Sequence, residues 1–161
     1  MSQSFANRPD IAYIPTPYDA VDAMLKLAQV GANDVLYDLG CGDGRLLIRA
    51  AQRWGTRGVG IDIDPACIEQ TRQNAHNAGV LHLMTLQQVN LYESDITAAT
   101  VVALYLLPHL NARLCPHLWQ QLRPGTRIVS HQFDMGDWEP DEILALPQSE
   151  EESVLYLWKI R

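Results

Sequence analysis

The segment Val35 to Arg45, VLYDLGCGDGR, constrains this chain more than any other stretch. Val35, Leu36, Tyr37 and Leu39 have the apolar, β-forming character of a buried parallel strand. Gly40, Gly42 and Gly44 then let the backbone turn tightly into a helix beginning near Arg45. A strand, a glycine loop and a helix N-terminus together make a ligand cradle. Backbone N–H groups at such a turn are expected to face a ligand, and a glycine there lets that ligand approach the main chain closely.

Charge and spacing narrow the ligand. A dinucleotide loop of the form G-x-G-x-x-G, counted from Gly40, would need glycine at position 45, where Arg45 stands. Asp38 and Asp43 flank the loop, and each would repel a pyrophosphate by roughly a kcal/mol or more at intermediate dielectric. A cationic ligand fits better. S-adenosylmethionine carries an ammonium and a sulfonium, so Asp38 can attract its amino acid end while the glycine amides of the loop, with Cys41 between Gly40 and Gly42, line the rest. At DLGCGDG, Asp38 to Gly44, the sequence resembles the first motif of class I (seven-β-strand) S-adenosylmethionine-dependent methyltransferases.

Composition bounds the remainder. A chain of 161 residues with 47% hydrophobic content is expected to form one domain, 1–161, made of an N-terminal cap helix region, 1–31, and a cofactor-binding core, 32–161. The net charge of −7 and only 12 Lys and Arg, scattered along the chain, argue against a nucleic acid partner. The start, MSQSFANRPD, has no apolar core, and the run Val101 to Leu107 is too short to span a bilayer, so no membrane span is expected. The chain reads as soluble and cytoplasmic. Cys41, Cys67 and Cys115 show neither disulfide nor C-x-x-C metal spacing, and the five histidines form no convincing ligand pair, so no metal is expected.

Taken in order, Thr16, Pro17 and Asp19 read as cap, first and third positions of a helix, with Val21, Met24, Leu25 and Ala28 as its apolar stripe and Gly31 as its stop. Tyr13 and Thr16 either touch the cofactor carboxylate or merely cap that helix. Leu47, Ala50, Ala51 and Trp54 mark a second helix, closed by Gly55. A second strand, Gly58 to Ile63, ends at Asp62, which lies 22 residues beyond Gly40, near the offset at which a carboxylate takes ribose hydroxyls. Asp64 and Pro65 read as an N-cap pair opening a third helix. A third strand, Leu86 to Val89, leads to Asn90. Ile63 and Leu91 either sandwich the adenine or belong to the core.

Thr100 to Leu107 reads as the fourth strand, which puts Tyr105 to Pro108 at the carboxyl end where ligands bind in open parallel sheets. The leucine ladder 110, 114, 118 and 122 predicts a helix that Pro116 should break or kink. A fifth strand, Arg127 to Phe133, precedes the acidic loop Asp134 to Asp141, expected on the cofactor side and able to recruit a basic acceptor. A closing hairpin uses Glu142 to Leu146 and Val154 to Ile160. The fold class is α/β: a doubly wound, Rossmann-like sheet of about seven strands, mostly parallel with an antiparallel C-terminal hairpin.

YIPTP, DLGCGDGR, the tyrosine strand ending in proline, and LRPGTRIVSHQFD with its following tryptophan are similar to small protein-lysine methyltransferases related to the ATP synthase c-subunit lysine methyltransferase. The resemblance implies methyl transfer from S-adenosyl-L-methionine to a protein lysine. The alternatives are a methyltransferase for a small molecule or RNA, and a cofactor-binding module without catalysis. It also implies that an acid after the third strand meets the adenine amino group, a position held here by Asn90. Tyr105, Pro108 and Trp138, with Phe133, are the candidate acceptor channel, whose aromatic walls would disfavour a charged amine. The oligomeric state is left open.

Overall fold

Along each central strand the apolar side chains alternate between two faces, and both faces find helices. The computed structural model describes residues 15–147, 149 and 152–161. Seven strands, β1 (Val35–Leu39), β2 (Arg57–Asp62), β3 (Met84–Gln88), β4 (Val101–Leu104), β5 (Arg127–His131), β6 (Glu142–Ala145) and β7 (Val154–Lys159), form one sheet in the order β3-β2-β1-β4-β5-β7-β6. β1 to β5 are parallel, and β7 runs antiparallel between β5 and β6. The expected mostly parallel, doubly wound sheet with an antiparallel C-terminal hairpin is what forms. Helices α1 (Tyr18–Leu27), α2 (Arg45–Trp54), α3 (Pro65–Asn77) and α4 (Pro108–Gln121) cover it. None among the described residues is long and apolar enough to cross a membrane.

Two cores result. Leu36, Val101, Ala103, Val129, Leu155 and Leu157 pack with Val21, Met24 and Leu25 of α1 and Leu47 of α2. Tyr37, Leu39, Val102, Leu104, Ile128 and Trp158 pack with Leu114 and Leu118 of α4 on the opposite face. At the amino ends of the strands, Arg127 pairs with Asp34 and donates to the carbonyls of Ala28 (2.8 Å) and Gln29 (3.0 Å). Thr100 adds a 2.7 Å bond to the same carboxylate. This tether binds α1, β1, β4 and β5 together at one end, leaving the other end to the ligand.

Several local expectations change. α1 begins at Tyr18 with Pro17, not Thr16, in the capping position, and no side chain caps it. Thr16 is drawn away because its hydroxyl lies 3.1 Å from His131 Nδ1. The helix stops at Leu27, and the left-handed turn falls on Gln29 (φ 54°), two residues before Gly31. β4 ends at Leu104, so Tyr105 to Leu107 form a loop into α4, whose first position is Pro108. Pro116 does not break α4. Its ring is exposed, and the buried stripe Asn111, Leu114, Cys115 and Leu118 outweighs one missing N–H bond.

The acidic segment also lies elsewhere than expected. Because β7 is inserted antiparallel, β6 runs in the direction of β5, and residues 134–141 must cross from the carboxyl end of the sheet to its amino end. Asp141 there pairs with Arg161 and accepts from the Lys159 amide at 2.7 Å. The acids are thus spread along the sheet instead of gathered at the cofactor end.

Gly44 sits at φ 81°, and a Cβ there would stand 2.5 Å from Thr71 Cγ2. Gly44→Ala should therefore lower stability in urea melts by roughly 1–3 kcal/mol through strain and overpacking. Thr71→Ser removes that methyl and keeps the hydroxyl, so adding it should restore part of the loss.

Candidate active site

The glycine loop closes onto the end of β2. Gly40 and Cys41 donate to the carbonyl of Ile61 (2.7 and 3.0 Å), Gly42 to Asp62 Oδ2 (3.1 Å) and Gly44 to the carbonyl of Cys41 (2.9 Å). The turn needs left-handed glycines at 40 and 42 (φ 86° and 57°). These four amides are spent inside the protein, which corrects the expectation that they face a ligand. On the β2 side, Thr71 donates to the Gly42 carbonyl (2.8 Å) and Asn74 Nδ2 to that of Asp43 (2.9 Å), so α3 holds the loop from behind. Arg45 forks onto Asp43, its Nη2 at 2.8 Å from Oδ2.

What the loop presents instead is negative. Register pairs Asp38 with Gly60 and Leu39 with Ile61, so the carboxylates of Asp38 and Asp62 end up on neighbouring strand ends. Burial pushes the Asp38 carboxyl well above the usual range, and the charges of Asp62 and Asp43 push it further. Burial also raises Asp62, even though it accepts from the Gly42 and Asp64 amides. Two acids that resist ionisation, Asp62 buried and Asp38 half-buried, beside a loop with spent donors, suit a ligand that brings positive charge and hydrogen-bond donors of its own. S-adenosylmethionine supplies both: an ammonium, a sulfonium and two ribose hydroxyls. Gly40 is exposed, and a Cβ there would point toward Leu106 Cδ2 at 3.9 Å, across the gap between loop and β4. The donor-poor cradle fits this cofactor and rejects a pyrophosphate.

The other sequence candidates divide. Asn90 is half-buried and its Oδ1 accepts from the Tyr92 amide at 2.9 Å, which leaves its NH₂ and a second lone pair. Ile63 is exposed beyond Asp62, whereas Leu91 packs against the α4-side core. Cys41 is buried and its thiol is pushed far up by that burial, so it is inert. Tyr13 lies outside the described residues. Thr16 is brought to the site by two bonds: its hydroxyl meets His131, and its carbonyl accepts from Arg45 Nη1 at 3.1 Å.

Beyond β4, Tyr105 meets the rings of His131 (4.3 Å between centroids) and Phe133 (6.1 Å, 13° between planes). Trp138 is placed apart from them. It packs on Trp119 and Trp158, and its carbonyl accepts from Trp158 Nε1 at 2.8 Å, opposite Ile128 near the start of β5. Pro108 caps the Tyr105 loop as the first, exposed residue of α4. Sequence reasoning passed over His131 as a lone histidine. Its place at the carboxyl end of a parallel strand was the signal available.

A cradle that offers acceptors and withholds donors, set at the switch point between β1 and β4, defines an S-adenosylmethionine-dependent methyltransferase. Residues 38–142 match the family model of the ANTKMT methyltransferase domain, and the chain belongs to that family. A protein-lysine N-methyltransferase of Saccharolobus islandicus is 39% identical over 94% of this chain and 95% of its own length. An ATP synthase c-subunit lysine N-methyltransferase of Xenopus laevis is 26% identical over 83% of this chain and 58% of its length. Among solved structures, a Salinibacter ruber protein described as an RNA methyltransferase in complex with S-adenosyl-L-homocysteine is 54% identical, with a TM-score of 0.87 over 91% of this chain and 94% of its own.

Asp38→Asn keeps the shape and removes a charge that the apo protein accommodates poorly. A carboxyl raised in the folded state stabilises the fold below its unfolded value and loses that contribution as pH climbs through the folded value, so the neutral amide should raise the apo melting temperature at pH 7. The same change should weaken S-adenosylmethionine by roughly 1–3 kcal/mol in calorimetry. A variant that neither melts higher nor binds more weakly would remove Asp38 from the site.

Proposed function

We propose that this methyltransferase acts on a lysine side chain of a protein. The observation that carries the reading is the uncharged aromatic wall beyond β4. His131 is fully buried between two hydroxyls, and burial lowers its pKa to about 4, so at neutral pH the Tyr105, His131 and Phe133 wall bears no charge. A lysine amine, at about 10.4 in water, must arrive neutral to act as nucleophile, and a wall of this kind disfavours its charged form. The relatives named as protein-lysine methyltransferases support the same reading.

When bound, S-adenosylmethionine supplies an electrophilic methyl group. The residues of this chain bind and orient. In this reading Asp38 meets the ammonium, Asp62 accepts from the ribose hydroxyls, and Gly40, Cys41 and Gly42 lie against the methionine portion. Ile63 would cover the base, with Asn90 and Leu91 beside it, and Thr16 would hold the cofactor carboxylate. Tyr105 and Pro108 frame the acceptor channel, while Trp138 serves the hydrophobic core. No general base is needed once the amine is neutral. Orientation of reacting groups accounts for about 7–11 kcal/mol of barrier in well-held cases, enough for most of the acceleration.

A second reading, RNA methylation, is favoured by the description of the Salinibacter ruber structure. Against it, the chain carries a net charge of −7, and among the described residues Arg45, Arg49, Arg53, Arg72, Arg127 and Arg161 are each paired with an acid, which reduces the positive charge available to phosphates. Cys41, Cys67 and Cys115 are free, as a reducing compartment allows, and the cytoplasm is the compartment we propose.

Incubation with labelled cofactor and cell extract decides between the readings. Label should become protease-sensitive and map by mass spectrometry to lysine; label on RNA would establish the second reading instead. Tyr105→Ala should lower turnover at least about tenfold with cofactor affinity within about twofold, since it alters the acceptor's orientation and not the cradle.

A further inference from the structure

We infer that His131 is a positioning residue that splints the acceptor wall to the cofactor loop. The inference rests on the reading of Tyr105 as part of the acceptor channel. His131 is the last residue of β5 and has no solvent exposure. Its Nδ1 lies 3.1 Å from the Thr16 hydroxyl and its Nε2 2.7 Å from the hydroxyl of Ser153, itself fully buried. Both ring nitrogens are therefore pinned, and the ring plane cannot swing. Tyr105 leans on this fixed ring at 4.3 Å with a 42° tilt.

The backbone after His131 is bent to serve the same contact. The Phe133 amide donates to the His131 carbonyl at 2.9 Å across Gln132, whose φ is 74°, which makes this the strained form of a γ-turn on a non-glycine residue. Gln132 is held there from β7, donating to the Val154 carbonyl at 2.6 Å and accepting from its amide at 2.8 Å. Ser130 Oγ and Asn111 Nδ2 donate to the Phe133 carbonyl (2.6 and 3.3 Å). The turn brings Phe133 back, nearly parallel to Tyr105, so that Tyr105 is bracketed by two rings whose own backbones are fixed.

The other arm of the splint reaches the cradle. Thr16 bonds His131 through its hydroxyl and Arg45 through its carbonyl, and Arg45 forks onto Asp43 inside the glycine loop. A ligand that settles the loop thus settles Asp43, Arg45, Thr16, His131 and Tyr105 in series. His131 acts here as a neutral strut: burial keeps it uncharged, against the opposing charge of Asp19. It is not a proton carrier.

Ser153→Ala is the cleanest test, because it deletes one hydroxyl that is not part of the cradle and leaves the imidazole in place. Turnover at saturating cofactor should fall about tenfold, as loss of orientation does. S-adenosylhomocysteine affinity by calorimetry should stay within about twofold and the melting temperature within a few degrees. With 3-fluorotyrosine incorporated and the Tyr105 signal assigned by Tyr105→Phe, S-adenosylhomocysteine should shift that signal in the wild type and shift it by less than half as much in Ser153→Ala. Wild-type turnover in the variant, a loss that tracks melting and recovers on cooling, or equal fluorine shifts in both proteins would overturn the inference. If the wild type labels no protein, the lysine reading fails by itself, and the fluorine arm, which needs no acceptor, still decides the splint.

Discussion

The hydrogen bond from the Gly42 amide to Asp62 is the contact on which the ligand end of this protein depends. It closes the loop after β1 onto the end of β2, with the Gly40 and Cys41 amides on the Ile61 carbonyl completing the seam. Closing that seam has an electrostatic consequence. The loop turns its donors inward and leaves the Asp38 and Asp62 carboxylates as the dominant polar groups beside it, so the cradle selects positive charge and hydroxyl donors. A phosphate-binding loop with the same number of glycines would turn its amides the other way.

Stability and function occupy opposite ends of the sheet. At the amino ends Asp34, Arg127 and Thr100 form a satisfied, half-buried network that fastens strands to α1. At the carboxyl ends sit two carboxyls that resist their own charge, left-handed glycines and a strained turn at Gln132. Unfavourable local arrangements persist only where surrounding structure over-determines them. Here the surrounding structure is the pair of cores on either face, with Trp158 and Met24 among their fully buried side chains.

The insertion of β7 between β5 and β6 matters beyond topology. It delivers Ser153 and Val154 to the end of β5, where they hold His131 and Gln132. It also forces the segment after Asp134 to travel down the sheet, which carries Trp138 to Trp158 and away from Tyr105. The same crossing thus supplies support for the acceptor wall and carries Asp141 away from it.

The fold class, the glycine loop and the placing of Asp38 and Asp62 at strand ends were legible in the residues alone, because each is specified locally. Strand character, a three-glycine turn and an acid at a strand end depend on neighbours a few positions away. Asp64 with Pro65 is another such case, read as a cap and found as one, with Asp64 accepting from the Ala66 amide at 2.8 Å. The direction of the loop amides, the true cap of α1, the persistence of α4 through Pro116 and the placing of Trp138 were not legible. Each is decided by a partner far along the chain: Ile61 for Gly40, His131 for Thr16, the packed sheet for α4, Trp158 for Trp138. His131 shows the limit most plainly. As a residue it is one of five histidines without a motif, and it becomes a strut only when Thr16, 115 positions earlier, and Ser153, 22 later, close on its two nitrogens.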